Sequence, residues 1–281
     1  MTESDELRLP DSVKDVGIAI GSVALVFLLT FAYSGNWPPM VVIESGSMEH
    51  DDNALYPEPG YTHLGIIDTG DLVVVKDSEK SEIVTYLEGK KTGYEKYGDY
   101  GDVIVYYKNG IREWKGQPVT PVIHRAMAWV EVVDKENKTY YIPEIDTYFN
   151  GKIELSEIGL GGGAHIKDLE NSGYITKGDS TGNSHPDQMT HYDIRGREPK
   201  YRVQPVDPDW VVGVARGELP WFGLIKLRVT QPDNYAQAPP ECRTMLGFSI
   251  LVILIGPFTA GKIWESYINQ TSPPPKKRSK G

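Results

Sequence analysis

Two long charge-free segments constrain this chain more than any other feature of its sequence. The first runs from Val16 to Tyr33 and the second from Thr244 to Gly261, and both are rich in Ile, Val, Leu and Phe. A transmembrane helix needs about 20 predominantly apolar residues, with a lower limit near 17. The sequence therefore predicts two transmembrane helices, at 16–34 and 243–262.

Each segment also has a second interpretation. The first is compatible with a cleaved secretory signal peptide, with 32–35 as the cleavage region, but its basic flank is poor and it exceeds a typical signal-peptide core. The second is compatible with a buried C-terminal helix, yet a helix that is apolar on all sides needs a core wrapped around it. We therefore favour a retained anchor in both places.

The basic residues near the C-terminus predict the orientation of the chain. Short basic segments beside a membrane helix stay in the cytoplasm, so 263–281 is predicted to be a cytoplasmic tail. Two spans then return 1–15 to the cytoplasm as well, and 35–242 becomes an extracytoplasmic domain. The basic residues in question are Lys276, Lys277, Arg278 and Lys280.

Charge and cysteine content exclude several classes of function. The chain has 29 Lys and Arg residues against 39 Asp and Glu residues, a net charge of -10. Nucleic-acid binding requires a basic surface that neutralises phosphates, so no nucleic-acid partner is predicted. Cys242 is the one cysteine, which rules out an intrachain disulfide and a multi-cysteine zinc cluster.

The segment between the two apolar runs has the composition of a mainly β domain. Short segments rich in Val, Ile, Tyr and Trp alternate with Gly-Asp turn signals. Residues 77–100 are predicted to be an excursion between two strands, 150–171 a surface insertion with a short helical pattern, and 217–227 a final hairpin or apolar surface loop. The predicted strands are Leu72–Val75, Val103–Tyr107, Val122–Val133, Thr139–Ile142 and Trp210–Val214.

A serine and a histidine in this domain suggest nucleophilic catalysis. Ser47 lies in the segment V-V-I-E-S-G-S-M-E-H, shortly after the first apolar run. Serine is a poor nucleophile without a neighbouring base, and His124, in V-I-H-R-A-M-A-W-V, titrates near neutral pH and can accept and return a proton. Taken separately, these residues also suit an ordinary turn and a packed strand histidine.

A third polar cluster offers a carboxylate to orient that histidine. The loop T-K-G-D-S-T-G-N-S-H-P-D contains Asp179 and Asp187, and a buried carboxylate on the far ring nitrogen stabilises imidazolium in serine triads. Ordinary turn formation is the alternative. His185, His191 and Asp193 raise the alternative of a metal site, but no helical metal-binding spacing is present, so no metal or cofactor is predicted.

The order of these motifs resembles that of type I signal peptidases. An anchor is followed by S-G-S-M, G-D-L-V-V-V, G-D-V-I-V-Y, V-I-H-R and T-K-G-D, and the resemblance covers most of 16–217. The histidine at position 124 is similar to the archaeal and endoplasmic-reticulum branch, whereas bacterial relatives have a lysine base there. The second C-terminal span also resembles archaeal members.

The resemblance implies a role for each site residue. Ser47 is expected to be the nucleophile, His124 the general base and Asp187 the third triad member, with Asp179 as an accessory residue. The Ser47 N–H and the Ser45 hydroxyl would form the oxyanion hole.

One further expectation concerns the substrate pocket, and two departures from the family pattern concern His50 and the aspartate loop. Met48 is expected to form part of a substrate pocket. The chain departs from the family pattern at His50, where proline is usual, and in a longer spacing between the two loop aspartates, which puts the third triad member in doubt.

These observations predict an integral-membrane signal peptidase with a β-barrel-like extracytoplasmic domain. It would be a serine endopeptidase that cleaves signal peptides from translocated preproteins through an acyl-enzyme. Its expected partners are preprotein signal peptides, the lipid membrane and the protein-translocation machinery. One alternative is a non-catalytic, membrane-tethered β domain that binds peptides or scaffolds a complex. Another is a Ser-Lys protease using Lys76, Lys108 or Lys115.

Overall fold

The computed structural model describes residues 11–50, 60–161, 163–193 and 200–271. Most of the two predicted cytoplasmic tails lies outside these ranges. The described chain is mainly β, with an antiparallel sheet at its centre and a long helix at each end. The helices are α1 (Asp11–Ser34), α2 (Tyr86–Thr92), α3 (Leu224–Thr230), α4 (Pro232–Gln237) and α5 (Pro240–Thr271).

Helix α1 contains the first predicted membrane span. Among the described residues, Val16–Ser34 is the segment long and apolar enough to cross a membrane, and its large apolar side chains are exposed, whereas Ser34 at its end is buried. A signal sequence has the same properties. The structure therefore establishes an exposed apolar N-terminal helix.

Helix α5 runs through the second predicted span, 243–262. Its apolar side chains from Leu251 to Ile255 are about half exposed, which does not fit a helix buried in the core of a soluble domain. Within the described residues α5 does not register as a candidate span. The second span therefore stays a prediction.

The strands are mostly short, and one of them, β8, is much longer than the rest. In the described residues they are β1 (Met40–Val42), β2 (Leu72–Asp77), β3 (Glu95–Lys96), β4 (Asp99–Tyr100), β5 (Val103–Tyr106), β6 (Glu113–Trp114), β7 (Gln117–Pro118), β8 (Val122–Asp134), β9 (Thr139–Ile142), β10 (Thr147–Asn150), β11 (Lys152–Glu154), β12 (His165–Lys167), β13 (Gly173–Lys177), β14 (His191–Asp193), β15 (Lys200–Arg202) and β16 (Val211–Leu219).

One antiparallel sheet connects the strands that matter for the site. Its order is β1-β2-β16-β5-β8-β9-β10, and β13 pairs with β8 outside this path. The five predicted strands are confirmed, because they coincide with β2, β5, β8, β9 and β16 within a few residues at each end. Strand β1 lies at an edge, with β2 as its neighbour in the sheet.

The two predicted insertions differ from each other. Residues 77–100 leave the sheet as predicted and form α2 and the β3-β4 hairpin. Residues 150–171 were predicted to be a surface insertion with a helical pattern, and this is wrong. They form the β11-β12 hairpin, and Ile153 and Leu155, two positions apart as on one face of a strand, are almost fully buried in the core.

The segment 217–227 is neither a hairpin nor an apolar surface loop. Strand β16 ends at Leu219, a turn follows, and α3 begins at Leu224. Leu224 and Leu227 are fully buried and pack with Cys242 of α5. This segment therefore connects the sheet to the C-terminal helix.

Candidate active site

Ser47 lies in a one-turn 3-10 helix, Gly46–Met48, directly after edge strand β1. Before this turn, the Ile43 N–H donates to the Asp71 carbonyl oxygen at 2.9 Å, which fixes the chain to the loop ahead of β2. Ser45 is extended and its hydroxyl does not cap the turn. The serine hydroxyls thus sit on a short turn anchored at both ends.

Met48 provides the second anchor of this turn. Its side chain is 1% exposed and packs in a core cluster with Ile43, Val73 and Val105. The sequence predicts that it lines a substrate pocket, but it is not among the residues that line the groove described below. A long flexible apolar side chain following a tight turn fills a core gap well, and this is the role it has here.

His124 and Asp187 form a close buried pair. His124 lies near the start of β8, where β8 pairs with β5 and Ile104 is its partner. His124 Nδ1 is 2.6 Å from Asp187 Oδ2, and the two side chains are 7% and 8% exposed. This geometry fixes the imidazole so that its other nitrogen, Nε2, is free of Asp187.

Asp187 is held by three further side chains. The hydroxyl groups of Tyr106 and Thr176 donate to Oδ2 at 2.8 and 2.9 Å, and Lys108 Nζ donates to Oδ1 at 2.8 Å. Burial opposes ionisation, but the charges and hydrogen bonds of His124 and Lys108 outweigh it and hold the pKa of Asp187 well below its usual value. Asp187 is therefore a stable carboxylate.

The loop that carries Asp187 also closes onto the backbone of Ser47. The Ser180 N–H and the Asn183 side-chain amide both donate to the Ser47 carbonyl oxygen, at 3.1 and 2.9 Å. A Cβ atom at Gly178 would lie 2.4 Å from that oxygen and 3.0 Å from His124 Nε2. Gly178 therefore lets the loop, the serine turn and the imidazole meet.

Ser47 and His124 face a common groove. Ser45, Ser47, His124 and Asp187 all line one cavity of about 660 Å³. In the described residues no hydrogen bond joins Ser47 Oγ to His124 Nε2. Hydrogen bonds of this kind are often long in a ligand-free enzyme and tighten in the substrate complex.

The walls of this groove are mainly apolar strand residues. One wall comes from β1 and the residues after it, and the other from the first residues of β8 and the segment before it. At this end β8 pairs with β5, while its pairing with β13 begins only at Arg125. Both walls therefore present strand edges with unpaired backbone groups.

Asp179 has different partners from Asp187. Its carboxylate contacts the Arg125 guanidinium at 2.5 Å and His50 Nε2 at 3.3 Å, and it is 3% exposed. Burial raises the pKa of Asp179, but the charge of Arg125 outweighs this effect and lowers it below the usual value. Asp179 therefore belongs to a buried ion pair, and His50 is part of it.

Arg125 ties this ion pair to the excursion before β5. The side chain is fully buried, and its terminal nitrogens donate to backbone carbonyl groups of that segment. Such bonds satisfy a guanidinium that a single carboxylate cannot satisfy alone. The accepting residues are Lys96, Tyr97, Asp99, Tyr100 and Gly101.

Among the described side chains, His185 and His191 do not belong to a group of three close potential metal ligands. His185 hydrogen bonds with the Ser184 hydroxyl at 2.7 Å, His191 is exposed on β14, and the side chain of Asp193 lies outside the described residues. A different set, made of His63, Asp68 and Cys242, does bring its ligand atoms together in the described part of the chain.

Sequence reasoning missed several residues of this site. Tyr106, Thr176 and Asn183 were not singled out, and Lys108 was considered only as a base. Tyr106 ends the motif G-D-V-I-V-Y in a predicted strand, and a fully buried tyrosine usually needs a hydroxyl partner, so its position carried a signal. Asn183 carried none, because asparagine is common in turns.

No family model matches the chain, and no curated protein matches its sequence. The class of protein therefore follows from the fold and site alone. The chain is a mainly β protein with an exposed apolar N-terminal helix, and a buried His-Asp pair lies beside a serine in an apolar groove.

Proposed function

We propose that this protein is a membrane-bound serine endopeptidase of the signal-peptidase type, with Ser47, His124 and Asp187 as its triad. The observation that carries the proposal is the 2.6 Å contact between His124 Nδ1 and Asp187 Oδ2 in the groove that Ser47 also lines. A buried carboxylate on one ring nitrogen leaves the other nitrogen to act as a base.

The reaction uses this pair to move one proton back and forth. Ser47 Oγ attacks the scissile carbonyl carbon while His124 Nε2 takes its proton and then gives it to the leaving amine. Water, deprotonated by the same nitrogen, then hydrolyses the acyl-enzyme. Asp187 remains ionised throughout, because its hydrogen-bond donors stabilise the carboxylate. The carboxylate in turn stabilises the imidazolium.

The oxyanion would be bound by donors on the 3-10 turn. The Ser47 N–H and the Ser45 hydroxyl are the proposed pair, and the extended conformation of Ser45 leaves its hydroxyl unused as a helix cap. A preorganised donor of this kind contributes about 3 kcal/mol to the stability of the transition state.

The groove favours a substrate in extended conformation. A strand inserted between β1 and the start of β8 would pair with the unpaired backbone groups of both, while apolar walls accept small side chains. Ile43 and Ile123 are two of the apolar lining residues beside the candidate catalytic groups. Main-chain pairing then supplies affinity and the pocket walls supply selectivity.

The position of the groove suits substrates that are themselves in the membrane. Helix α1 ends at Ser34, β1 begins at Met40, and Pro38 already lines the groove. Trp37 between them is 77% exposed, and tryptophan favours the membrane interface. We therefore place α1 and α5 in the membrane, with the barrel-like catalytic domain outside and both termini in the cytoplasm.

The proposal is tested by replacing the nucleophile. Ser47→Ala should reduce conversion of a preprotein to its mature form in detergent or vesicles by at least about 10³-fold, because the residual rate then depends on binding alone. Ser184→Ala is the matched control and should keep the wild-type rate, since Ser184 is exposed and contacts only His185 among the described hydrogen bonds. Wild-type processing by Ser47→Ala would disprove the proposal.

A non-catalytic peptide-binding domain is the second candidate, because the same two strand edges would bind an extended peptide. Such a protein would bind peptide equally well as wild type and as Ser47→Ala, and neither form would process it.

A Ser-Lys protease is the third candidate function. Of the lysines considered, Lys108 lines the groove, but its ammonium is held by Asp187 at 2.8 Å. If the Lys108→Met variant kept its processing activity, a Ser-Lys mechanism that uses Lys108 would be excluded.

A further inference from the structure

Three side chains with different ligand atoms converge between the β1-β2 connection and helix α5. His63 Nδ1 lies 2.9 Å from Asp68 Oδ2, and Cys242 Sγ lies 3.9 Å from the same oxygen. All three ligand atoms are within 4.8 Å of one another. Ligand atoms of a tetrahedral zinc site lie roughly 3–4 Å apart, given bonds of about 2.0–2.3 Å, so the cluster is already close to that size.

An unpaired carboxylate oxygen of Asp68 also favours the binding of a cation here. Asp68 is 1% exposed, and its second oxygen, Oδ1, is buried without a hydrogen-bond partner among the described residues. Leaving such a group unsatisfied is unfavourable, and more so for a charged one. A metal ion bound to this carboxylate would remove that cost.

The charges around the cluster are negative. The charged side chains that act most strongly on His63 and on Cys242 are carboxylates of the loop, of the serine turn and of α5. Buried carboxylates are stable only when they are paired or bind a metal. The carboxylates are Asp68, Asp71, Glu49 and Glu241.

We propose that His63, Asp68 and Cys242 bind a zinc ion that attaches the start of α5 to the loop behind the serine turn. Sulfur, imidazole and carboxylate together are a ligand set typical of zinc. On binding, the Cys242 thiol loses its proton to solvent, His63 coordinates as neutral imidazole and Asp68 as carboxylate. Water or Asp68 Oδ1 completes the tetrahedron.

The alternative is that the cluster is ordinary packing. Cys242 does lie among Leu224, Leu227 and Leu246, and a free cysteine often behaves as a small apolar residue. That account leaves Asp68 Oδ1 unsatisfied, and it gives the buried Oδ2 only a weak S–H donor from Cys242 beside His63. The zinc ion accounts for both observations.

The proposed ion would connect the C-terminal helix to the candidate active site. Asp68 begins a turn in which the next residue, Thr69, donates its N–H to Glu49 just after the serine turn. Two residues later, Asp71 accepts from the Ile43 N–H. Zinc would therefore hold α5 at a fixed position relative to Ser47.

The test measures metal directly and does not depend on peptidase activity. The full chain, purified in detergent with a tag that does not bind metal and then dialysed, is analysed for zinc by mass spectrometry. We expect about one zinc per chain in the wild type and at least a tenfold loss in Cys242→Ala and in His63→Ala. His185→Ala, at an exposed histidine outside the cluster, should retain the full amount.

A second measurement uses the unmodified chain, so that a folding defect in a variant cannot decide the result. Cys242 is the one cysteine of the chain, and its rate of alkylation reports on its ligation. We expect alkylation at least tenfold slower with added zinc than with a chelator. Equal rates, or zinc retained by Cys242→Ala, would overturn the proposal.

Discussion

Two neighbouring residues of β8 give the candidate site its chemistry and its support. His124 and Arg125 point to opposite faces of the strand, as successive strand residues do, and each meets a different aspartate of the same loop. Asp187 contacts His124, whereas Asp179 contacts Arg125 and His50. Under the proposed function, these contacts favour Asp187 as the third member of the triad.

This division predicts opposite phenotypes for two similar substitutions. Asp187→Asn should lower kcat by about 10⁴, as in the best-studied serine triad, because the amide no longer stabilises imidazolium. Asp179→Asn should mainly lower the free energy of unfolding, by about 3–5 kcal/mol, because it leaves the buried Arg125 charge without its counter-ion. Processing rates and urea denaturation of both variants provide the measurements.

Each variant is the control for the other. If Asp179→Asn, assayed at a temperature where it is folded, lost as much kcat as Asp187→Asn, the two aspartates would not have separate roles. Wild-type kcat in Asp187→Asn would remove that residue from the proposed triad.

At the scale of elements, the loop from Gly178 to Asp187 is what assembles the site. It contacts the backbone of Ser47 through Ser180 and Asn183 and supplies the carboxylate for His124. Gly178 is the position where these elements approach most closely, because a Cβ there would overlap the Ser47 carbonyl oxygen.

Gly178→Ala is therefore expected to separate the loop from the serine turn. A Cβ 2.4 Å from a backbone oxygen forces a shift of the kind that costs about 10²-fold in rate when it displaces a catalytic group by about 1 Å. Gly182→Ala is the matched control in the same loop, since its Cβ would meet only the Ser180 hydroxyl at 3.7 Å. Equal processing rates in the two variants would contradict this role for Gly178.

The sequence predicted elements well where periodicity is strong and poorly where tertiary packing decides. The strands and the helix at Val16–Ser34 follow from composition and alternation, and the motif order led to Ser47 and His124. The burial of Met48 and the hairpin within 150–171 did not follow, because both depend on which apolar residues the rest of the chain covers. Asn183 and Tyr106 were missed since their roles arise only through distant contacts.

At the scale of the whole molecule, buried carboxylates make the stability of the fold depend on pH in the acidic range. The pKa values of Asp179 and Asp187 are lower in the folded protein than the ordinary value of 3.8. A lowered folded-state pKa means that the charged form stabilises the fold, so this contribution is fully present above pH 3.8 and is lost as the pH falls through the folded-state values.

The protein should therefore unfold more easily below about pH 4. Tm measured in detergent from about pH 4 down to pH 2.5 should fall. Asp187→Asn should reduce the fall, because the variant no longer has this proton to take up. An unchanged Tm below pH 4, or an undiminished fall in Asp187→Asn, would contradict the assignment.

The contact between His124 and Asp187 also has a consequence for biosynthesis. The two residues are 63 positions apart in the chain, and translation and membrane insertion proceed from the N-terminus. The growing chain therefore contains the serine and the histidine well before it contains the aspartate and the loop that packs on the serine turn. Under the proposed function, a half-made chain would be inactive, and peptide cleavage would begin only when synthesis of the domain is nearly complete.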